Sequence, residues 1–369
     1  MNEPSAPRIR VLIVDDSATA RRLVSQALSR QPDMEVVGFA ENGRLALERV
    51  AVDHPDAVVL DLEMPEMDGL TALRELKARH AGLPVLVFSS QTHLGAGATV
   101  DALLAGADDY ALKPSAPPGT GASWAAVQVE LATKLRAVAQ RARRDADSPA
   151  SLAPKPPVAM SQTPRVAVKA IAIGTSAGGP EALSVILPRL SPTLRVPILI
   201  VQHMPRNFTG ALAKRLNDKS RLRVEEASHG QVVQPGVVYL ARGDYHLRVS
   251  RRNGVVTMLL DEGPLENGCR PSVDPLFRSA ADVYGASLLA LVLTGIGQDG
   301  VEGARRIDET GGHVWIQDQE SAMVWGMAGA VARAGLARRT CTLSSVAQAI
   351  ETAVATGLPV VHPRPASRG

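Results

Sequence analysis

Aromatic side chains are scarce in this chain: four Phe, four Tyr and three Trp make up 3% of 369 residues. Cores built with so few are aliphatic, and β-branched aliphatic runs favour buried parallel sheets. Cysteine is scarcer still. The spacing of Cys269 and Cys341 fits neither a disulfide framework nor a metal knuckle, and both read as reduced thiols. Long apolar runs are missing too, since stretches such as Leu288 to Leu293 are far too short to span a bilayer. Met1–Arg8 lacks the apolar core of a signal peptide. The expectation is therefore a soluble, cytoplasmic protein without direct membrane insertion. Charge of one sign is also lacking: the formal +3 and pI near 9.0 come from scattered Lys and Arg, with short groups such as Arg141, Arg143 and Arg144. That pattern excludes a nucleic-acid footprint. What is present, 45% hydrophobic and 21% charged residues, is ample for packed cores, and the length suits two domains.

The composition changes twice between Pro114 and Arg165. Pro114-Ser-Ala-Pro-Pro-Gly-Thr-Gly121 is a turn-rich break, and Ala125 to Arg144 then carries Val127, Leu131, Leu135 and Val138 at near-helical spacing. Asp147 to Pro157 is rich in Pro, Ser and Ala and reads as a flexible linker. This divides the chain into a first domain over 8–125, a helix and linker over 126–165 and a second domain over 166–358. Each half alternates short apolar runs with helix-like patterns, the signature of doubly wound α/β domains with parallel sheets. Strands are expected at Arg10–Val14, Glu35–Ala40, Ala57–Leu60, Val85–Phe88 and Tyr110–Leu112, then at Val168–Ile173, Pro197–Val201, Val237–Leu240, Leu288–Leu293 and His313–Ile316. Ligands of such sheets bind where the C-terminal strand ends open into loops.

Four strand ends of the first half carry polar groups. Asp15 and Asp16 follow the first strand, Asp61 the third, Ser89 the fourth and Lys113 the fifth. Converging carboxylates repel one another unless a cation lies among them, and a hard oxygen set suits Mg²⁺. Asp61 then reads as a phosphoryl acceptor, with Mg²⁺ and Lys113 neutralising the transferred oxygens. An isolated Asp-Asp pair is usually a solvated loop; agreement at four strand ends is what argues for a site. In order and spacing, "VLIVDDS", "LDLEMPEMDG", "VLVFSS" and "GADDYALKP" resemble the receiver domain of two-component response regulators over roughly residues 8 to 120. The resemblance implies a flavodoxin-like fold, Asp61 phosphorylated by a histidine kinase, and Mg²⁺ held by Asp15, Asp16, Asp61 and the backbone carbonyl of Glu63. It also implies switch roles for Ser89, Tyr110 and Lys113, and makes Pro114 a candidate for a cis bond.

In the second half, "IAIGTSAGGP" ends an apolar run in a glycine-rich turn around Ser176. A phosphate loop would need Gly-Lys-Ser/Thr, and a dinucleotide fingerprint Gly-x-Gly-x-x-Gly; the glycines here are 174, 178 and 179. Gly174-Thr-Ser-Ala-Gly178 instead fits the Gly-x-Ser-x-Gly nucleophile elbow, although alone it is more often a helix cap. A serine nucleophile needs a base, and the base needs an orienting acid. The next apolar strand ends in Val201-Gln-His-Met204, and "LVLTGIGQDG" places Asp299 in another glycine-rich turn. Ser176, His203 and Asp299 are thus expected at one sheet edge. Their chain order differs from that of α/β-hydrolases, where the acid precedes the histidine. Among the other histidines, His246 and His313 lie in strands as packing residues, and His54, His80, His93, His229 and His362 have no obvious acidic partner.

The runs "AIGTSAGGPEAL", "QHMPRNFT", "VYLARGDYHL", "RPSVDPLF", "LTGIGQDG" and "AMVWGMAGAV" resemble the catalytic domain of the chemotaxis protein-glutamate methylesterase family, CheB, over about residues 166 to 355. A receiver joined by a linker to this Rossmann-like domain is that family's own arrangement. The resemblance implies a hydrolase that acts on γ-glutamyl methyl esters of chemoreceptors and also deamidates receptor glutamines. Ser176 would be the nucleophile, His203 the base and Asp299 its orienter, with the backbone amides of Ala177 and Ile296 as oxyanion donors. No cofactor is implied for the ester step, and the unphosphorylated receiver is implied to block the cleft. Ala177, Gln298 and Ala328 depart from the threonine, asparagine and proline frequent in relatives. Arg270 to Asp274 reads either as substrate face or as a helix start capped by Ser272 or Asp274. Two other readings carry less of the sequence: an output domain that only binds a partner or nucleotide, and a DNA-binding regulator, which would need a helix-turn-helix that is not apparent. Asp61→Asn is expected to abolish acyl-phosphate labelling by a phosphodonor; undiminished labelling would place the acceptor elsewhere.

Overall fold

The apolar runs of the first half become the strands of a small parallel sheet. In the computed structural model, which describes residues 7–90, 92–114, 122–147 and 164–361, these strands alternate with helices. They run β1 (Ile9–Val14), α1 (Ala18–Ser29), β2 (Met34–Ala40), α2 (Gly43–Asp53), β3 (Ala57–Leu60), α3 (Gly69–Arg79), β4 (Val85–Ser89), α4 (His93–Leu104), β5 (Asp109–Leu112) and α5 (Ala122–Asp147). The strand order is β2-β1-β3-β4-β5, with every pair parallel. β3 and β4 are buried along their whole length, as continuous Val/Leu runs in a sheet covered on both faces must be. Side chains of Ser17, Asn42, Asp68 and Thr92 accept from the backbone N–H of Ala20, Leu45, Thr71 and Gly95, which sets the starts of α1 to α4.

On α5, Leu131, Ala132, Leu135 and Ala139 share one face and are buried with Val11, Ile13 and Leu86. The helix that the spacing grouped with the linker thus packs into the first core. The chain divides into two compact units, Met1–Leu152 and Ala153–Gly369. The Pro/Ser/Ala-rich stretch from 148 to 163 and His362 lie outside the described residues.

The second unit runs β6 (Arg165–Val166), β7 (Ala170–Thr175), α6 (Gly179–Ile186), β8 (Ile198–Gln202), α7 (Arg206–Lys219), β9 (Arg223–Glu226), β10 (Val237–Leu240), β11 (His246–Arg252) and β12 (Val255–Asp261). It continues with α8 (Val273–Tyr284), β13 (Leu288–Val292), α9 (Val301–Glu309), β14 (His313–Gln317), α10 (Met327–Arg333), β15 (Arg339–Cys341), α11 (Val346–Thr356) and β16 (Leu358–Pro359). Seven strands form a parallel sheet in the order β15-β14-β13-β7-β8-β10-β9. β7 lies at its centre with β8 on one side and β13 on the other, so the strand order reverses beside β7 and opens a crevice there.

Six strands of the second unit escaped the reading of apolar runs: β6, β9, β11, β12, β15 and β16. β9 and β15 are short sheet edges with few apolar residues, and β11 and β12 form an antiparallel hairpin in which β11 sets Leu247 and Val249 between polar residues. Asn253 and Gly254, both left-handed at φ 49° and 80°, close that hairpin. A further antiparallel pair, β6 with β16, joins the first and last strands of the unit. His246 and His313 are buried, with Nε2 bonded to the carbonyls of Pro264 and Pro359. Among the described residues the cis X-Pro bond is Arg270–Pro271, not the one before Pro114.

Leu135 is fully buried in the first core, so Leu135→Ala is expected to cost about 2–5 kcal/mol. Urea unfolding of the full chain should show a first-unit transition at lower denaturant with the second-unit transition unmoved.

Candidate functional site

The parallel sheet of the first unit brings three carboxylates together. Asp15, Asp16 and Asp61 each offer an oxygen within 4.8 Å of the others. Asp15 and Asp61 are buried and Asp16 is exposed, so the cluster opens to solvent on one side. Lys113 at the end of β5 places Nζ 2.8 Å from Asp15 Oδ2 and 2.7 Å from Asp61 Oδ2. Asp61 Oδ1 accepts from the N–H of Leu62 at 2.8 Å and of Glu63 at 3.4 Å. Burial pushes the Asp61 carboxyl above its ordinary range despite Lys113, and the two carboxylates hold the Lys113 ammonium up against its own burial. The buried Asp15 carboxylate is held through Oδ2 by Lys113 and through Oδ1 by the N–H of Ser17 at 2.9 Å. Three carboxylates that bring their oxygens this close form a hard oxygen donor set that fits a divalent cation such as Mg²⁺.

Ser89 and Tyr110 are not drawn into this cluster. Ser89 Oγ lies 2.6 Å from Thr99 Oγ1 and 3.4 Å from the Gly95 carbonyl, facing α4. The buried ring of Tyr110 has Lys134 Nζ 4.6 Å from its centroid.

In the second unit, Ser176 follows β7, His203 follows β8 and Asp299 lies in the loop after β13, so all three stand at the central crevice. Backbone and side-chain bonds fasten these loops to one another. Ser176 N donates to Thr294 O at 3.0 Å and His203 N to Thr175 O at 3.1 Å. Gln202 Nε2 donates to Ser176 O at 2.9 Å, and Thr294 Oγ1 to Ala177 O at 2.8 Å. Two glycines permit the close approach. Gly178 sits at φ 74°, and a Cβ on Gly295 would lie 2.8 Å from Ser176 Cβ.

His203 Nε2 is 2.7 Å from Asp299 Oδ2. Most other donors to this buried carboxylate come from the approach to α8 and its first turn. Val273 N reaches Oδ2 at 2.6 Å, while Ser272 Oγ, Asp274 N, Asn267 Nδ2 and Gly300 N reach Oδ1 at 2.8, 3.2, 2.9 and 2.8 Å. Burial alone would raise Asp299, but His203, the Val273 N–H and Ser272 hold it below the ordinary carboxylate range. Burial likewise opposes a charged His203 ring, yet the bond to Asp299 and the contact with Cys269 overcome it and move the ring from 6.5 up to about 9. Neighbouring Asp274 is pushed up to about 6 by burial and by the charge of Asp299.

Ser176 Oγ makes no hydrogen bond among the described residues, and neither do the N–H groups of Ala177 and Ile296. A hydroxyl, a ring nitrogen held by a carboxylate, and two open amide donors form a constellation for acyl transfer. Arg270 to Asp274 takes a role that neither sequence reading foresaw: Ser272 makes no cap bond to α8 and instead orients Asp299. Gln202 and Asn267 were also missed. Gln202 lies beside the histidine at the end of an apolar run, and Asn267-Gly268 signals only a turn.

A receiver-type acidic pocket on one parallel sheet and a Ser/His/Asp crevice on another define a response regulator whose output unit is a hydrolase. The profile of the response regulator receiver domain matches residues 11–119, and that of the CheB methylesterase matches residues 171–350. A protein-glutamate methylesterase/protein-glutamine glutaminase of Nocardioides sp. is 47% identical over 342 residues, 91% of this chain and 93% of that one. One from Trichodesmium erythraeum is 40% identical over 93% of this chain and 98% of its own. The crystal structure of the Thermotoga maritima CheB methylesterase catalytic domain is 40% identical, covers 50% of this chain and 98% of its own, and superposes with a TM-score of 0.49. The chain belongs to the protein-glutamate methylesterase/protein-glutamine glutaminase family.

The raised His203 value carries a stability consequence with a fixed sign. Folding favours the protonated ring, so its contribution is complete below pH 6.5 and is lost as pH rises through about 9. Thermal unfolding of the full chain is expected to show the second unit losing Tm across that window, and His203→Gln to remove that part of the slope. Equal pH dependence in both proteins would show that the ring is not held charged.

Proposed function

We propose that the chain is a phosphorylation-regulated hydrolase that demethylates glutamate γ-methyl esters on chemoreceptors and deamidates receptor glutamines. The observation that carries this reading is the His203–Asp299 pair at 2.7 Å, beside the Ser176 turn in the crevice where the strand order reverses. Ser176 attacks the ester carbonyl, the neutral form of His203, whose share grows as pH approaches about 9, takes its proton and returns it to departing methanol, and Asp299 keeps the imidazole oriented. The open N–H groups of Ala177 and Ile296 receive the oxyanion, a contribution worth about 3–4 kcal/mol per donor in comparable sites. Water then releases the glutamate. A glutamine side chain yields the same acyl intermediate with ammonia as leaving group. No cofactor takes part in these steps.

The first unit supplies the control. Asp61 is the phosphoryl acceptor for a histidine kinase, Lys113 faces the phosphoryl oxygens, and Ser89 and Tyr110 rearrange when Asp61 is modified. Asp15, Asp16, Asp61 and the backbone carbonyl of Glu63 would hold Mg²⁺, which when bound supplies charge neutralisation for phosphoryl transfer. Among the described residues no helix is long and apolar enough to cross a membrane, which is compatible with a cytoplasmic enzyme acting on the cytoplasmic parts of receptors.

Methanol release from methyl-labelled receptor membranes tests the reading. Wild type should release methanol, faster with a small phosphodonor and Mg²⁺, and Ser176→Ala should lower the rate by at least about 10³-fold. Release that survives the substitution would remove Ser176 from the reaction.

A further inference from the structure

Two contacts on the His203–Asp299 pair come from a segment that belongs to neither sheet nor helix. Between β12 and α8, Glu266 N donates to Cys269 O at 3.2 Å, and Cys269 N donates to Glu266 O at 2.9 Å. Asn267 and Gly268 between them are both left-handed, at φ 52° and 73°, which makes a two-residue type I′ turn. Its base is anchored. Arg278 of α8 grips both Glu266 oxygens at 2.8 and 2.7 Å, and Arg248 of β11 lies 3.6 Å away. From this turn Asn267 Nδ2 bridges Asp299 Oδ1 at 2.9 Å and Asp274 Oδ2 at 2.8 Å, while Cys269 Sγ lies 3.5 Å from His203 Nδ1.

Nε2 of His203 is committed to Asp299, so only Nδ1 is left to take a proton from Ser176. The thiol of Cys269 stands at that nitrogen, and the Ser176 hydroxyl has no hydrogen bond among the described residues. We propose that Cys269 is a positioning residue for the hydrolase reaction, a resting partner of the working nitrogen of His203 that Ser176 displaces when substrate enters. This rests on the roles assigned to Ser176 and His203 above.

Charged groups on the neighbouring segments have partners of their own. Asp299 holds Nε2, and Asp274 bonds Asn267 and the N–H of Gly303. Arg206, at the start of α7, lies 3.6 Å from Asp244 and donates to the Tyr245 hydroxyl, and Arg270 donates to the carbonyls of Glu262 and Gly263. Among the described residues, Cys269 is the side chain in hydrogen-bond contact with Nδ1. It is partly exposed, while the other cysteine, Cys341, is buried on β15.

Full-length wild type, Cys269→Ala and Cys269→Ser provide the test, with two readouts. Histidine ring resonances are titrated by NMR, with His203 assigned by its loss in His203→Gln, and kcat/KM for ester hydrolysis is followed against pH. In Cys269→Ala the His203 titration should fall by about one pH unit, roughly tenfold in proton affinity, and the acid limb of kcat/KM should fall with it. Cys269→Ser should lie between, because a hydroxyl still partners Nδ1, and it carries the test alone if the alanine variant does not fold. An unchanged titration overturns the contact. A shifted titration with an unmoved acid limb overturns its place in the reaction. Should no ester be hydrolysed by any variant while the titration still shifts, the contact stands and the assignment of the reaction fails.

Discussion

An ionised carboxylate buried in a protein must be answered donor by donor, and in the second unit that requirement falls on Asp299. Taking such a charge from water costs several kcal/mol unless hydrogen bonds replace the lost hydration. Here the replacements come from the N–H groups that open α8, from Ser272, Asn267 and Gly300, and from the His203 ring. Much of the crevice can be understood as what those donors demand. The Ser272 hydroxyl leaves the helix backbone to reach the carboxylate, and the loop after β12 turns back to present an amide. The first turn of α8 points its positive end at a negative charge, the favourable orientation for a helix dipole.

The two units solve the same electrostatic problem in opposite ways. In the first, clustered acids are balanced by the single ammonium of Lys113 and remain open to solvent through Asp16. Such a balance is easily rewritten, which suits a site whose charge changes on modification. In the second, Asp299 is enclosed by fixed dipoles that scarcely reorganise, which suits stabilising one proton-transfer geometry. Parallel sheets make both arrangements possible, because successive strands deliver their polar ends to one edge.

Most of this architecture was legible in the chain because fully buried parallel strands are unbroken aliphatic runs. The short run Ala57–Leu60 is recognised by its continuity and by the aspartate that follows it, not by the size of any one side chain. Edge strands such as Arg223–Glu226 bury little, and their sequence resembles a loop. At the sites, Asp15, Asp61, Lys113 and His203 were named from their places just after apolar runs, and Ser176 and Asp299 from glycine-rich turns as well. Loop residues outside such motifs were not named. Asn267 and Cys269 lie in a stretch with no periodicity, and only the left-handed turn brings them back to the crevice. Ser272 was visible, as part of a substrate face or as a helix cap, but its bond to the distant Asp299 carboxylate leaves no local trace.

The short ladder between β6 and β16 has a further consequence. Arg165 pairs with Pro359 and Val166 with Leu358, so the polypeptide enters and leaves the hydrolase fold at neighbouring points. A fold with adjoining entrance and exit is a natural cassette: it can be spliced into a surface loop of another protein, or reconnected across that ladder and reopened elsewhere, without redrawing any strand crossing. Evolutionary recombination of this unit with other regulators therefore demands little of the partner beyond a loop wide enough for two adjacent strands.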